Sequence, residues 1–272
     1  MTPEISIITV SMNHLSFLKE MLASLFTAGR PSVSFEIILV DNCSTDGTVV
    51  YIRENYPSIK IIENPEIYGF ARNNNIGVKH ATGKYILILN PDIILTPGAI
   101  DALHTYMVTH PECGIVAPKL QNRDGSLQYS ARRFPNLKII LKRILTKGND
   151  DSDSSTVENY LLKNLSMDQP TEVDWCMGAA FLMPHVFYKE LKGFDENFFL
   201  YVEDTDICYR CWQKNRKVIY TPLSQMLHVH QRSSQRLNKK TWIHLKSFFY
   251  FFRKNHFKIK SWLSETKKHT YR

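Results

Sequence analysis

The first hundred residues alternate short apolar, β-branched runs with leucines at helical spacing, and this alternation restricts the possible folds more than any other feature of the chain. Ile5-Ser-Ile-Ile-Thr-Val10 reads as a buried strand, and Leu15, Leu18, Leu22 and Leu25 line one face of a helix between His14 and Ala28. Phe35–Val40 is a second strand run, closed by the polar turn Asp41–Gly47. A helix to about Tyr56, a strand over 59–62, a helix over 70–80 and a strand over Tyr85–Leu89 follow. Strands separated by helices require right-handed crossovers and a parallel sheet covered on both faces. The expected fold is therefore α/β and Rossmann-type, mostly parallel, with helices on both faces. Ligands of such sheets sit outside the carboxyl ends of the strands. Asp41 and Asn90-Pro91-Asp92 each fall just past a strand end.

The second half is less regular. Asn149–Ser155 is acidic and Ser-rich and reads as a mobile loop, Val173–Met183 as one buried strand, and Gly193-Phe-Asp-Glu196 as a turn. Glu203-Asp204 open a helix to about Lys214, and residues 218–221 and 225–230 read as closing strands. Charge is unevenly placed: from Lys239 onward ten Lys/Arg face one Glu, for +9, whereas elsewhere 24 basic residues face 25 acidic ones, for −1. The basic balance thus belongs to a C-terminal segment in which Trp242, Leu245, Phe249 and Phe252 recur at helical spacing. Such a segment suits an anionic membrane surface, or a helix packed on the body with a solvated basic face; nucleic acid is not an expected partner. No run approaches the roughly 18 apolar residues of a membrane span. No secretory leader is visible, and five scattered cysteines make no disulfide framework, so a cytoplasmic location is expected.

Several clusters carry potential chemistry. A carboxylate such as Asp92 just past a strand can hold a hard divalent cation that shares its ligands with substrate phosphates, although Asn-Pro-Asp is also ordinary turn chemistry. Glu203-Asp204-Thr205-Asp206 begins a helix, where the macrodipole favours each carboxylate by roughly 0.3–1 kcal/mol. The apolar Phe198–Val202 before it would hold these groups beside a buried region. His228 and His230 share one face of a strand, and either becomes a metal ligand if Asp92 lies in the same cleft. Arg132 and Arg133 are candidates for gripping a phosphate, since guanidinium suits bidentate contacts. Cys208-Tyr-Arg-Cys211 has no second pair and reads as ordinary helix cysteines.

Taken together, roughly residues 4–235 resemble glycosyltransferase family 2, in its bacterial rhamnosyltransferase-like branch. The resemblance rests on Ile7–Asn13, Val40-Asp-Asn42, Gly69–Gly77, Leu89-Asn-Pro-Asp92, Asp124–Gln128 and Arg132-Arg-Phe-Pro135. It continues through Trp175, Gly178–Phe181, Gly193–Glu196, Phe198–Asp206 and Pro222–His228. It implies an inverting GT-A enzyme that takes a sugar, rhamnose by preference, from a nucleoside diphosphate to a cell-surface glycan or lipid-linked acceptor. On this reading Asp41 accepts a hydrogen bond from the donor's base, while Ser11, Met12, Gly69 and Asn75 lie on the donor side. Asn90 would lie near the ribose, and Asp92 with His228 would bind Mg2+ or Mn2+. Asp204 stands where the family keeps its general base, with Glu203 beside it, and Arg132, Arg133 and Trp175 fall on the acceptor side. Two departures stand out: Asn90 replaces an acidic residue, and Met12 replaces a common aromatic. The implied organisation is one domain over 1–235, with a nucleotide-sugar half (1–118) and an acceptor half (119–235), and a basic helical tail over 236–272. Two alternatives remain open. One is a catalytically idle nucleotide-sugar-binding or scaffold protein of the same fold. The other is a nucleotidyltransferase, for which Ser11–His14 lacks the expected glycine-rich loop.

Overall fold

The computed structural model describes residues 2–146, 149–150, 154–164, 166–229 and 239–263. The first half runs β1 (Ile5–Ser11), α1 (Leu15–Phe26), β2 (Phe35–Asp41), α2 (Thr48–Asn55), β3 (Lys60–Glu63), α3 (Phe70–Lys79), β4 (Tyr85–Leu89), β5 (Ile93–Leu95), α4 (Ala99–Thr109) and β6 (Cys113–Gln121). The second half runs β7 (Ala131–Arg132), α5 (Leu137–Leu145), α6 (Ser155–Tyr160), β8 (Thr171–Glu172), β9 (Trp175–Cys176), β10 (Ala180–Pro184), α7 (His185–Glu190), α8 (Glu203–Gln213), β11 (Lys217–His228) and α9 (Lys239–Lys254). A nine-stranded sheet has the order β3-β2-β1-β4-β10-β6-β11-β5, with β8 on β11. β1 to β4, β6 and β11 run one way, against β5, β8 and β10. The sheet is mostly parallel, as expected.

Side chains alternate across each central strand and so fill two cores. Ile5, Ile7, Leu39 and Leu87 pack with Leu18, Leu22, Ile52 and Leu103 of α1, α2 and α4. Ile8, Ile38 and Ile88 face the other way, with Ala71 and Val78 of α3, Tyr188 of α7, Ile207 of α8 and Phe251 of α9. Helices therefore cover both faces.

Two expectations are corrected. The segment 173–183 is not one strand: Trp175 and Cys176 pair with β7 in a separate two-stranded sheet, and the chain turns at Gly178-Ala179 before β10 enters the main sheet. The two closing strands are one, β11, whose register shifts between Thr221 and Gln225. The C-terminal segment packs on the body, one of the two arrangements that its pattern suits. Phe251 and Phe252 are buried, Lys254 Nζ bridges Asp195 and Asp206 at 2.7 Å each, and Trp262 stacks on Trp212. Helical spacing showed the helix but not that its aromatic face closes over α8. Among the described residues no helix is long and apolar enough to cross a membrane. Residues 151–153 of the acidic loop lie outside the described residues.

Candidate active site

The parallel pairing of β1 with β2 sets Ser11 beside Asp41 at the carboxyl edge of the sheet. Asp41 Oδ2 accepts the Ser44 amide at 2.9 Å, while its Oδ1 and the Ser11 hydroxyl are buried with no protein partner. A buried polar atom left unmatched costs about 1–3 kcal/mol, so this edge suits a ligand that supplies an N–H. Asn42 ties the edge to the loop before α3: its Oδ1 accepts the Tyr68 amide at 2.9 Å and its Nδ2 donates to the Tyr68 carbonyl at 3.0 Å. Met12 is partly exposed beside Asn42, whose Nδ2 lies 3.7 Å from the thioether sulfur.

One donor-side expectation changes, at Asn75, and Gly69 has a packing role besides. Gly69 is glycine for chain packing, because a Cβ there would lie 2.3 Å from the Phe199 carbonyl oxygen. Asn75 spends its whole amide internally. Its Oδ1 accepts Tyr188 Oη at 2.6 Å and the Phe194 amide at 2.9 Å, and its Nδ2 donates to the Phe194 carbonyl and Glu196 at 2.9 Å each. It holds the 193–196 turn and has no capacity left for a donor.

Asp92 lies in the turn from β4 to β5, and the antiparallel pairing of β5 with β11 sets His228 opposite Ile93. His228 Nε2 therefore stands 3.4 Å from Asp92 Oδ2, and Asp92 Oδ1 is buried without a protein partner. Gln128 fixes the ring. Its Nε2 donates to the Asn122 side chain at 2.6 Å and the His228 carbonyl at 2.8 Å, so its Oε1 is the atom that meets His228 Nδ1 at 2.7 Å. An amide oxygen only accepts, so Nδ1 carries a proton, and in the tautomer that this selects Nε2 is the ring nitrogen that would ligate a cation on the Asp92 side. Two acceptors facing each other fit a cation between them. Among the described residues no cluster of three or more His, Cys, Asp or Glu could hold a metal. The protein would thus supply two side-chain ligands, leaving the others to water and substrate phosphate. His230 lies outside the described residues.

α8 begins after Tyr201 and Val202, both with left-handed backbone (φ 69° and 72°). For a β-branched residue this conformation is strained, by roughly 1–3 kcal/mol. It swings Glu203 and Asp204 into a buried corner. Asp204 Oδ2 accepts the Gly178 amide at 3.0 Å and Oδ1 the Thr205 amide at 2.7 Å. Burial raises the Asp204 pKa, against the pull of those amides and of Arg132. Burial, with the Asp204 charge alongside, raises Glu203 further, and its Oε2 has no protein partner. Burial thus disfavours the ionised form of Glu203 more than that of Asp204, which favours Asp204 as the base.

The three groups are brought to one strand end. The Asn90 amide donates to the Ala179 carbonyl at 2.8 Å, the neighbouring Gly178 amide holds Asp204, and Asp92 follows two residues after Asn90. Arg132 and Arg133 do not act as a pair, because consecutive residues of an extended chain point opposite ways. The Arg132 guanidinium lies 5.4 Å from the Trp175 ring and 5.7 Å from that of Tyr160, on the Asp204 side. Arg133 reaches away to Asn159 and Ser261, and Trp175 donates its indole N–H to the Arg133 carbonyl at 2.8 Å. Sequence reasoning missed Gln128 and Gly178 as positioning residues. Nothing in the spacing links Gln128 to a histidine a hundred residues away, though it closes the Asp124–Gln128 motif.

A family model described as glycosyl transferase family 2 matches residues 6–165. Over 250 residues the chain is 29% identical to N-acetylglucosaminyl-diphospho-decaprenol L-rhamnosyltransferase of Mycobacterium tuberculosis, covering 87% of this chain and 79% of that protein. Over 253 residues it is 29% identical to rhamnosyltransferase WbbL of Escherichia coli, covering 89% and 90%. Among solved structures it is similar to mannosyltransferase PcManGT from Pyrobaculum calidifontis in complex with GDP-Man and Mn2+ (TM-score 0.63, 17% identity, 96% of this chain and 66% of that one). It is also similar to GalNAc-T7 with UDP, GalNAc and Mn2+ (TM-score 0.64, 18% identity, 85% of this chain), spanning 44% of that longer chain. At these identities the structural likenesses speak to the fold.

Proposed function

The chain belongs to glycosyl transferase family 2, and from that premise we propose an inverting, metal-dependent transfer of a sugar from a nucleoside diphosphate to a lipid-linked glycan acceptor at the inner face of the membrane. Rhamnose is the favoured sugar, because relatives alike over most of the chain are named rhamnosyltransferases. A lipid-linked acceptor is favoured because one of those names specifies a diphospho-decaprenol. The observation that carries the reading is the meeting of Asp92 and His228 at 3.4 Å on the strand end to which Gly178 tethers Asp204.

Each residue then has a task. Asp41 and Ser11 accept and donate hydrogen bonds at the donor's base, with Met12 against it. Asp92 and His228 hold Mg2+ or Mn2+, oriented by Gln128. A divalent cation bound there neutralises charge that develops on the leaving diphosphate. Asp204 takes the proton of the acceptor hydroxyl as that oxygen attacks the anomeric carbon from the face opposite the diphosphate. The bond to the diphosphate breaks as the new one forms, which inverts the anomeric configuration. Glu203, whose burial disfavours its ionised form more strongly, leaves the base role to Asp204. Arg132 stands on the acceptor side, where its charge suits a lipid diphosphate.

Incubating the purified chain with uridine- and deoxythymidine-diphosphate sugars, with and without chelator, tests the proposal. Metal-dependent donor turnover is expected. Asp204→Asn should lose ~10²–10⁴ of it while keeping the thermal shift given by nucleoside diphosphate with Mn2+. Near-wild-type turnover by that variant would remove Asp204 from the mechanism.

A further inference from the structure

α5 is built inside out. Ile139 is its one buried residue, and the Asn136 side chain caps the Ile139 amide at 2.9 Å. Leu137, Leu141 and Leu145 are 62%, 60% and 71% exposed, and Ile144 is exposed with them. At 3.6 residues per turn these four fall in a single arc, with Lys138 and Lys142 along one edge. Arg143 turns inward instead, to Asp150 at 2.8 Å. A helix held only by the protein body would bury that arc, since burial of leucine is what drives a helix onto its support.

We propose that α5 is a docking helix that seats its leucine arc in an anionic lipid bilayer, with Lys138 and Lys142 at the headgroups, and so brings the Asp204 end of the site to a lipid-linked acceptor. The inference rests on the transferase reading for its acceptor but not for its surface. Charge selects the occupant. α5 contains three basic residues and no carboxylate, and lysine stems flanking an apolar arc can carry their ammonium groups up to lipid phosphates. A second copy is a poorer fit, because two such arcs face to face would set lysines against lysines with no acid in either helix. α9 presents a matching stripe of exposed Trp242, Lys246, Phe249 and Arg253. α9 lies against the residues that open α8, with the His244 ring 4.7 Å from that of Tyr201 and Ser247 Oγ donating to the Leu200 carbonyl at 3.0 Å, while α5 packs on α6, whose Tyr160 ring lies under Arg132. The same Arg132 acts on Asp204.

The test sediments the full chain with vesicles of phosphatidylethanolamine and phosphatidylglycerol, and separately with phosphatidylcholine vesicles. The variants are Leu141→Gln/Leu145→Gln, Lys138→Glu/Lys142→Glu and, on α9, Trp242→Ser/Phe249→Ser. Thermal shift with deoxythymidine or uridine diphosphate plus Mn2+ is read on every preparation, as a check of fold and donor end. Wild type should partition onto the anionic vesicles, and each α5 variant should lose about tenfold or more in partitioning with its nucleotide shift intact. Failure of wild type to sediment, or equal sedimentation of the leucine variant, overturns the proposal. So does a wild-type dimer that the leucine variant turns into monomer, which would make a second copy the occupant. Vesicle binding without any nucleotide shift in wild type would instead strike the transferase reading and leave the docking helix standing.

Discussion

Asp204 and Glu203 share a buried corner, and the same burial that raises both pKa values sets two opposite consequences. A general base works ionised, so turnover should rise with pH through a limb lying above the ordinary carboxylate range, which a pH–rate profile will locate. For folding, a raised pKa contributes stability that is fully present below the unfolded value and lost as pH rises through the folded one. Glu203→Gln should therefore unfold at a higher temperature than wild type at neutral pH, with the difference closing as pH falls below about 4. Calorimetry across that range checks it. Gln128 acts at the same scale but through another residue, since it touches no substrate. Gln128→Ala frees the His228 ring to rotate and should weaken Mn2+ binding by ~10–100-fold, read by titration calorimetry with nucleoside diphosphate present, while the fold is unchanged. Neither consequence is visible from residue type alone. A glutamate followed by an aspartate looks equally catalytic at both positions until burial separates them.

Among the elements, α8 and α9 are joined by charge as well as by aromatics. Asp206 is fully buried, and it takes Arg210 at 2.7 Å from its own helix and Lys254 at 2.7 Å from α9. Lys254 also holds Asp195: burial opposes ionisation there, but the ammonium and the Asn197 amides bring the carboxyl down to about 2. A depressed pKa contributes stability that is present above the unfolded value near 3.8 and lost as pH falls toward 2. Lys254→Met should therefore cost about 1.5–3 kcal/mol at neutral pH, because Asp195 loses its ammonium while Asp206 keeps Arg210. It should also flatten the acid dependence between those two values, both measurable by denaturant unfolding. The carboxylate pattern at residues 203–206 invited two explanations, helix capping and catalysis. The structure divides it: Asp204 faces Gly178, and Asp206 faces the C-terminal helix.

At the scale of the molecule, the C-terminal segment closes a core that the rest of the chain leaves open. Removing residues 239–272 uncovers Phe198, Tyr209 and Trp212, which Tyr250, Phe251 and Trp262 cover. Such a truncation should lose cooperative unfolding and near-ultraviolet circular dichroism while retaining helix and strand content, and point substitutions on the exposed face of α9 are the cleaner probe of membrane contact. The sequence by itself determined β1 to β4, because β-branched runs and helix-spaced leucines are local signals and β1, β2 and β3 are each followed by a crossover helix. It also marked Asp41, Asp92, Asp204 and His228 through motifs in family order. The tertiary structure alone decided that residues 173–183 serve two sheets, that Asn75 and Arg133 are occupied elsewhere, and that Gln128 aims His228. It alone turned the leucines of α5 outward. These depend on which surfaces meet across a hundred residues or more, and periodicity within a segment carries no information about its partner.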